Sequence, residues 1–190
     1  MPLISVTLLP GYPPEVEERL AARLATAARS VVAAPPAGTT GSIQHASTYH
    51  RDGRAFGGGA PARPVASDLV REFLRLMQER DLAGAGALLA PDFEMCFPGG
   101  VVMHRFEELL EWASGRYRSV AKDYERFEEC WSGEGAVVFC SGTLYGAWTD
   151  GREFSGIRFI DRIEVVDGRI RRQDVWNDLA EATARHSTAR

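Results

Sequence analysis

The stretch FIDRIEVVDGRIRRQDVWND, residues 159–178, carries two runs of strand-forming residues around an Asp-Gly pair at 167–168. Asp-Gly between such runs is a strong short-range hairpin signal, because both turn positions need a positive φ. Counted with RIRRQDVW there are four strand-like runs, the other three being DYERFEECW, AVVFCSGTLYGAW and REFSGIRFIDRIEVV, set apart by SGEG, TDG and DG. Before them the period changes. Leu69, Val70, Phe73, Leu74 and Met77 recur at helical spacing behind Ser67, a residue suited to capping a helix. LAGAGALLA reads as a second, shorter helix, and APDFEMCFPGG as a short strand running into a turn. RFEELLEWASGRY is a third helix, with Phe106, Leu109, Leu110 and Ala113 on one side. Helices followed by a long antiparallel sheet define an α+β domain, and a curved sheet with helices across its open side encloses a pocket.

The amino-terminal part has its own pattern. In LISVTLL, Ile4, Val6 and Leu8 alternate on one face of a half-buried strand. GYPPE is a turn whose prolines open a helix, along which Val16, Leu20, Leu24, Ala27 and Val31 form a stripe. AAPPAGTTG stops that helix, SIQHASTYH is strand-like, and HRDGR is a turn before the flexible FGGGAPARP. A β-α-β unit of about 56 residues buries little surface and is expected to associate with copies of itself. The expected organisation is a domain at 1–59, a linker at 60–64 and a second domain at 65–190.

Composition narrows the partners. The 190 residues carry a net charge of −4 and are 45% hydrophobic, which fits a globular chain without nucleic acid or an anionic membrane as partner. No apolar run approaches the ~18–20 residues of a membrane span, and no charged-then-apolar leader is present. Three cysteines without CxxC spacing point to a reduced cytoplasm, and the four histidines lack zinc-ligand spacing, so no metal is expected. No glycine-rich phosphate motif suggests a cofactor.

Residues 2–59 resemble the 4-oxalocrotonate tautomerase family: a Met-Pro start, strand, amphipathic helix, second strand and glycine-rich end. The resemblance implies Pro2 as an amino-terminal base, once methionine is removed, that moves protons next to a carbonyl. It implies Phe56 as the aromatic wall of the pocket. Tyr12 and Gln44 stand where the family's two carboxylate-gripping arginines would lie, and neither supplies a guanidinium. A dicarboxylate substrate is therefore not expected.

Residues 65–183 resemble the SnoaL-like and ketosteroid-isomerase-like superfamily, which shares the cone fold of nuclear transport factor 2. FLRLMQERDLAGAGALLAPDFEM, GGVVMHRFEELLEW and FIDRIEVVDGRIRRQDVWND carry that resemblance. The steroid isomerase's oxyanion-hole tyrosine falls at Phe73 and its general base at Phe97, neither of which can do that chemistry. Its second oxyanion acid falls at Asp161 and is retained. An acid that an apolar wall keeps protonated can donate to a developing oxyanion; the alternative for Asp161 is an ion pair with Arg158 or Arg162 beside it. Asp178 resembles the acid/base carboxylate of the polyketide cyclases, while its plainer reading is capping of the helix DLAEATAR. Trp131, Tyr145, Trp148 and Trp176 read mostly as core, with one or two shaping a flat apolar ligand site.

The expectation is a two-domain, cofactor-free enzyme of small-molecule metabolism. Pro2 would drive keto–enol tautomerisation or ring closure on a carbonyl-bearing, polyketide-like intermediate. The alternatives are covalent iminium or enamine catalysis by Pro2, and a non-catalytic binding domain on an oligomerisation scaffold. Threefold contacts through the first domain and twofold contacts through the second would close a hexamer, with a dimer or trimer if one set acts alone.

Overall fold

The computed structural model describes residues 2–55, 61–132 and 135–188. The chain divides into two compact units, Met1–Ala62 and Arg63–Arg190.

In the first unit, β1 (Leu3–Leu8) leads into α1 (Pro14–Val31), a short 3-10 turn (Pro36–Gly38) and β2 (Thr40–His45). β1 and β2 pair in parallel, with Val6 opposite Ile43, and the Pro2 carbonyl accepts a bond from the Thr40 N–H at 3.1 Å. Pro14 sits at the first helical position, where a missing N–H costs nothing. The helical stripe is only partly used. Val16, Leu20 and Leu24 are half-buried, but Val31 is 85% exposed and no residue of α1 is fully buried. Two sheet strands and one helix cannot cover an apolar stripe five turns long. A small hairpin, β3 (His50–Arg51) with β4 (Arg54–Ala55), turns through Asp52 and Gly53, both at positive φ. Phe56 and the glycines at 57–59 lie outside the described residues.

The second unit runs α2 (Ala66–Glu79), α3 (Leu82–Ala87), β5 (Leu89–Phe97), β6 (Val101–Met103), α4 (Phe106–Ser114) and then four long strands. These are β7 (Tyr117–Ser132), β8 (Gly135–Trp148), β9 (Glu153–Val166) and β10 (Arg169–Asn177), followed by α5 (Leu179–Thr188). The sheet order is β6-β5-β10-β9-β8-β7. Its last four strands form the expected hairpin ladder, but β5 joins β10 in parallel, so the sheet is mixed rather than antiparallel. Side-chain alternation has the same period in both arrangements, so the sequence pattern does not encode strand direction.

Ser67 does not cap α2. Helix α2 starts after Val65, and the Ser67 N–H donates instead to Glu129 Oε2 on β7 at 2.8 Å. Asp81 does cap α3, its Oδ1 accepting from the Gly84 N–H at 2.9 Å.

Curvature comes from irregularities on β7, whose pairing with β8 shifts between Tyr117 and Ser119 and again between Tyr124 and Arg126. Such bulges bend a strand and raise its twist. Where the sheet folds most tightly the backbones nearly touch: a Cβ on Gly142 would lie 1.9 Å from the Asp123 carbonyl oxygen. The concave face carries the core, with Phe73 and Val70 of α2 against Met95, Val138, Ile163 and Ile170. A second cluster, Leu144, Phe154, Ile157 and Phe159, fills the other end. Three of the aromatic strand residues expected in the core are outside it: Trp131, Tyr145 and Trp176 are 39%, 40% and 53% exposed. Trp148 packs on Phe154 with ring centroids 4.6 Å apart.

Candidate functional site

Between α2, α4 and the inner face of β7 lies a cavity of about 320 Å³. Its walls are largely apolar, from Phe73, Leu74 and Met77 of α2, Phe97 of β5 and Leu109 of α4. Gln78, Arg80, Ser114, Arg118 and Ser119 add polar groups to the lining, and Lys122 and Tyr124 of β7 with Gln173 of β10 converge on it from the sheet. A small apolar cavity with a handful of convergent polar groups is the usual form of a small-molecule site.

The strand register explains this placement. On β9 the buried positions are Phe154, Ile157, Phe159, Asp161, Ile163 and Val165, so Asp161 faces the concave side between two apolar neighbours. It lies opposite Cys140 on β8 and Val175 on β10. Its neighbours Arg158 and Arg162 point the other way and pair with Asp178 and Asp174 on the outer face, at 2.7 and 3.2 Å. Neither arginine is the partner of Asp161. That partner is Lys122, whose Nζ lies 2.5 Å from Asp161 Oδ2, while Gln173 Nε2 donates to the same oxygen at 3.3 Å. The carboxylate is therefore a paired, hydrogen-bonded group rather than a lone acid in an apolar wall. Its other oxygen, Oδ1, is buried and lacks a hydrogen-bond partner.

Lys122 spans from the cavity to this buried carboxylate, with one fifth of its side chain exposed and its ammonium 4.4 Å from the Phe159 ring centroid. The charge of Asp161 is felt by its neighbours. Burial first, and the Asp161 charge second, push the Cys140 thiol up to about 12. The same two causes, in the same order, hold the Tyr124 phenol well above its ordinary value, so it is a neutral donor.

Of the residues expected from sequence, Phe73, Phe97 and Asp161 come together around this cavity: two as apolar wall, one beneath the floor. A tyrosine does line the cavity, but it is Tyr124 of β7 rather than a residue of α2. Asp178 stands outside it. Its carbonyl accepts the first bond of α5, from the Ala182 N–H, but its carboxylate pairs with Arg158, and the side chain that accepts from the start of the helix is Asn177, whose Oδ1 takes the Leu179 N–H. In the first unit Pro2 and Tyr12 are half-buried, and Gln44 is exposed on β2 opposite Thr7.

Lys122 escaped the sequence reading because β7 begins six residues earlier than the strand-like run DYERFEECW. A signal was nonetheless available: among 22 lysines and arginines it is the sole lysine.

A curved mixed sheet with helices packed across its concave face defines an α+β cone, and the chain belongs to the family of the SnoaL-like domain, which matches residues 70–173. The solved structures agree on the fold. A nuclear transport factor 2-like protein of unknown function from Burkholderia pseudomallei is 26% identical, with a TM-score of 0.50 over 60% of this chain and 92% of its own. A candidate polyketide cyclase from Xanthomonas campestris pv. campestris is 21% identical, with a TM-score of 0.51 over 63% and 94%. TerC, co-crystallised with polyporic acid, is 19% identical, with a TM-score of 0.52 over 62% and 94%. Comparison with curated proteins finds no match. Among the described residues, no cluster of side chains suits a metal ion and no helix is long and apolar enough to cross a membrane.

Proposed function

We propose that the SnoaL-like domain is an isomerase or cyclase acting on an apolar carbonyl compound, with Lys122 as the fixed charge that stabilises the enolate. The observation that carries this reading is the Lys122–Asp161 pair at 2.5 Å beneath a largely apolar cavity of about 320 Å³. Proton loss next to a carbonyl places negative charge on the oxygen. A preorganised ammonium stabilises that charge most where water is excluded and no reorganisation is needed. Asp161 holds the ammonium, Gln173 in turn donates to the Asp161 carboxylate, and the neutral Tyr124 phenol offers a second donor on the same wall. Phe73 and Phe97 supply shape rather than chemistry.

The test is α-proton exchange of 2-tetralone in D2O, followed by NMR. Removing one donor to a developing oxyanion typically costs about 10²–10³ in rate. Lys122→Met should fall by that much, and a Lys122→Met protein exchanging as fast as the parent would end this reading.

A second reading assigns the chemistry to Pro2 and is favoured by the parallel β1–β2 pair, into which Pro2 directly leads. It needs methionine removal to free the amine. Pro2 would then move the proton as a base, or condense with the carbonyl as an iminium or enamine. Tyr12 and Gln44 would make short dicarboxylated enols poor substrates. Pro2→Ala in the same exchange assay separates the two: the Pro2 reading requires that it lose activity while Lys122→Met keeps it. Since α1 has no buried residue and Leu3 is 70% exposed, the first unit would serve as well to assemble copies of the chain, a hexamer being the closed form.

A further inference from the structure

We propose that Lys122 is itself a carbonyl-capturing amine, forming an iminium with an aldehyde or ketone held in the cavity. This rests on the cavity being the reaction site and adds a covalent step to it.

The choice of residue is the first argument. Twenty-one of the 22 basic residues are arginine, and the structural ion pairs of the second unit use them, as in Arg158–Asp178, Arg162–Asp174 and Arg75–Glu79. A guanidinium holds charge but does not deprotonate, whereas a lysine in a desolvated setting can. Arg80 and Arg118 also line the cavity, but among the described residues the cation that reaches from it to a wholly buried carboxylate is an amine rather than a guanidinium.

The second argument is where the proton goes. Asp161 Oδ2 is 2.5 Å from Nζ, and Oδ1 is buried with no hydrogen-bond partner, so the carboxylate has unused acceptor capacity in contact with the amine. The Lys122 ammonium gives one proton to Asp161, and the freed lone pair attacks the carbonyl carbon as the C=O π pair moves to oxygen. A proton passes from nitrogen to that oxygen, giving the neutral carbinolamine. Asp161 then returns its proton to the hydroxyl, the C–O bond breaks, water leaves, and the nitrogen lone pair forms C=N. The ammonium and carbonyl become an iminium and one water. Positive charge stands beside the Asp161 carboxylate at both ends, so the buried ion pair is never broken in the resting forms. The iminium then acidifies the adjacent α-carbon, which is what isomerisation or ring closure of a carbonyl compound requires.

The experiment uses the full chain, benzaldehyde as probe and sodium cyanoborohydride as trap, with peptide mapping of the adduct. Only one ε-amine exists, so labelling falls on Lys122 or on the α-amine. The expected result is one benzyl group on Lys122, formed at least tenfold faster in the native chain than in urea. Labelling confined to the α-amine, or Lys122 labelled no faster in the native chain, would overturn the inference. Lys122→Arg separates this from the enolate reading. Loss of 2-tetralone exchange in that variant, with native labelling in the parent, supports the covalent step. Retention of exchange in Lys122→Arg refutes it and leaves Lys122 as a fixed charge.

Discussion

Lys122→Met removes the ammonium facing Asp161 while keeping an apolar stem of similar length. Asp161 has no exposed surface, and its remaining donor, Gln173, stands at 3.3 Å. Breaking a buried ion pair from one side typically costs about 3–5 kcal/mol, because the other charge stays buried. The surviving Gln173 bond and the partial exposure of Lys122 place the loss at the lower end, about 3 kcal/mol. With a urea dependence of roughly 2 kcal/mol per molar, the unfolding midpoint should fall by about 1.5 M. All four tryptophans, at 112, 131, 148 and 176, lie in the second unit, so their fluorescence follows this domain alone. The double variant Lys122→Met/Asp161→Leu removes both charges and should recover to within about 1 kcal/mol of the parent, as apolar replacements of buried pairs usually do. A single variant with an unchanged midpoint, or a double variant less stable than the single, would refute the burial argument.

Gly142→Ala should destabilise the second unit by about 3 kcal/mol or prevent folding, since its Cβ would meet the Asp123 carbonyl oxygen at 1.9 Å and only backbone movement could relieve the contact; urea denaturation checks it. The Cys140 thiol is raised from 9.0 to about 12, so at pH 8 a maleimide should modify exposed Cys130 in the native protein and reach Cys140 only on unfolding. The unfolded thiol ionises first, so the stability it supports is complete below pH 9 and is lost as pH rises towards 12; Tyr117, raised by burial to about 12, acts in the same direction, and thermal melts across alkaline pH should decline accordingly. Trp176, Ile160 and Tyr145 present large apolar groups on the outer sheet face, so light scattering should find an oligomer that Trp176→Glu weakens; a monomeric parent at micromolar concentration would exclude it.

The sequence by itself determined most elements of both units, though not the short strands β3, β4 and β6 or the first six residues of β7. Alternation along 159–166 settled which residues of β9 face inward, because a period of two leaves only one face for Phe159, Asp161 and Ile163. Asp167-Gly168 and Asp150-Gly151 fixed the turns, and the period-3.6 stripe at Leu69–Met77 fixed α2. It also marked Phe73, Phe97 and Asp161 as members of one pocket through family resemblance. Partners across the sheet were another matter. Asp161 has arginines on both sides in sequence, but adjacent strand residues point to opposite faces, so its cation had to come from elsewhere. Lys122 is 39 residues away and meets it only because β7 and β9 flank β8 on a curved sheet. The same limit applies to Asp178 and to Trp131, Tyr145 and Trp176. Their residue types fit a site or a core, and only the direction and curvature of the strands carried them to the outside. Local pattern sets which way a side chain points along its own strand. What it meets there is decided by the strands laid beside it.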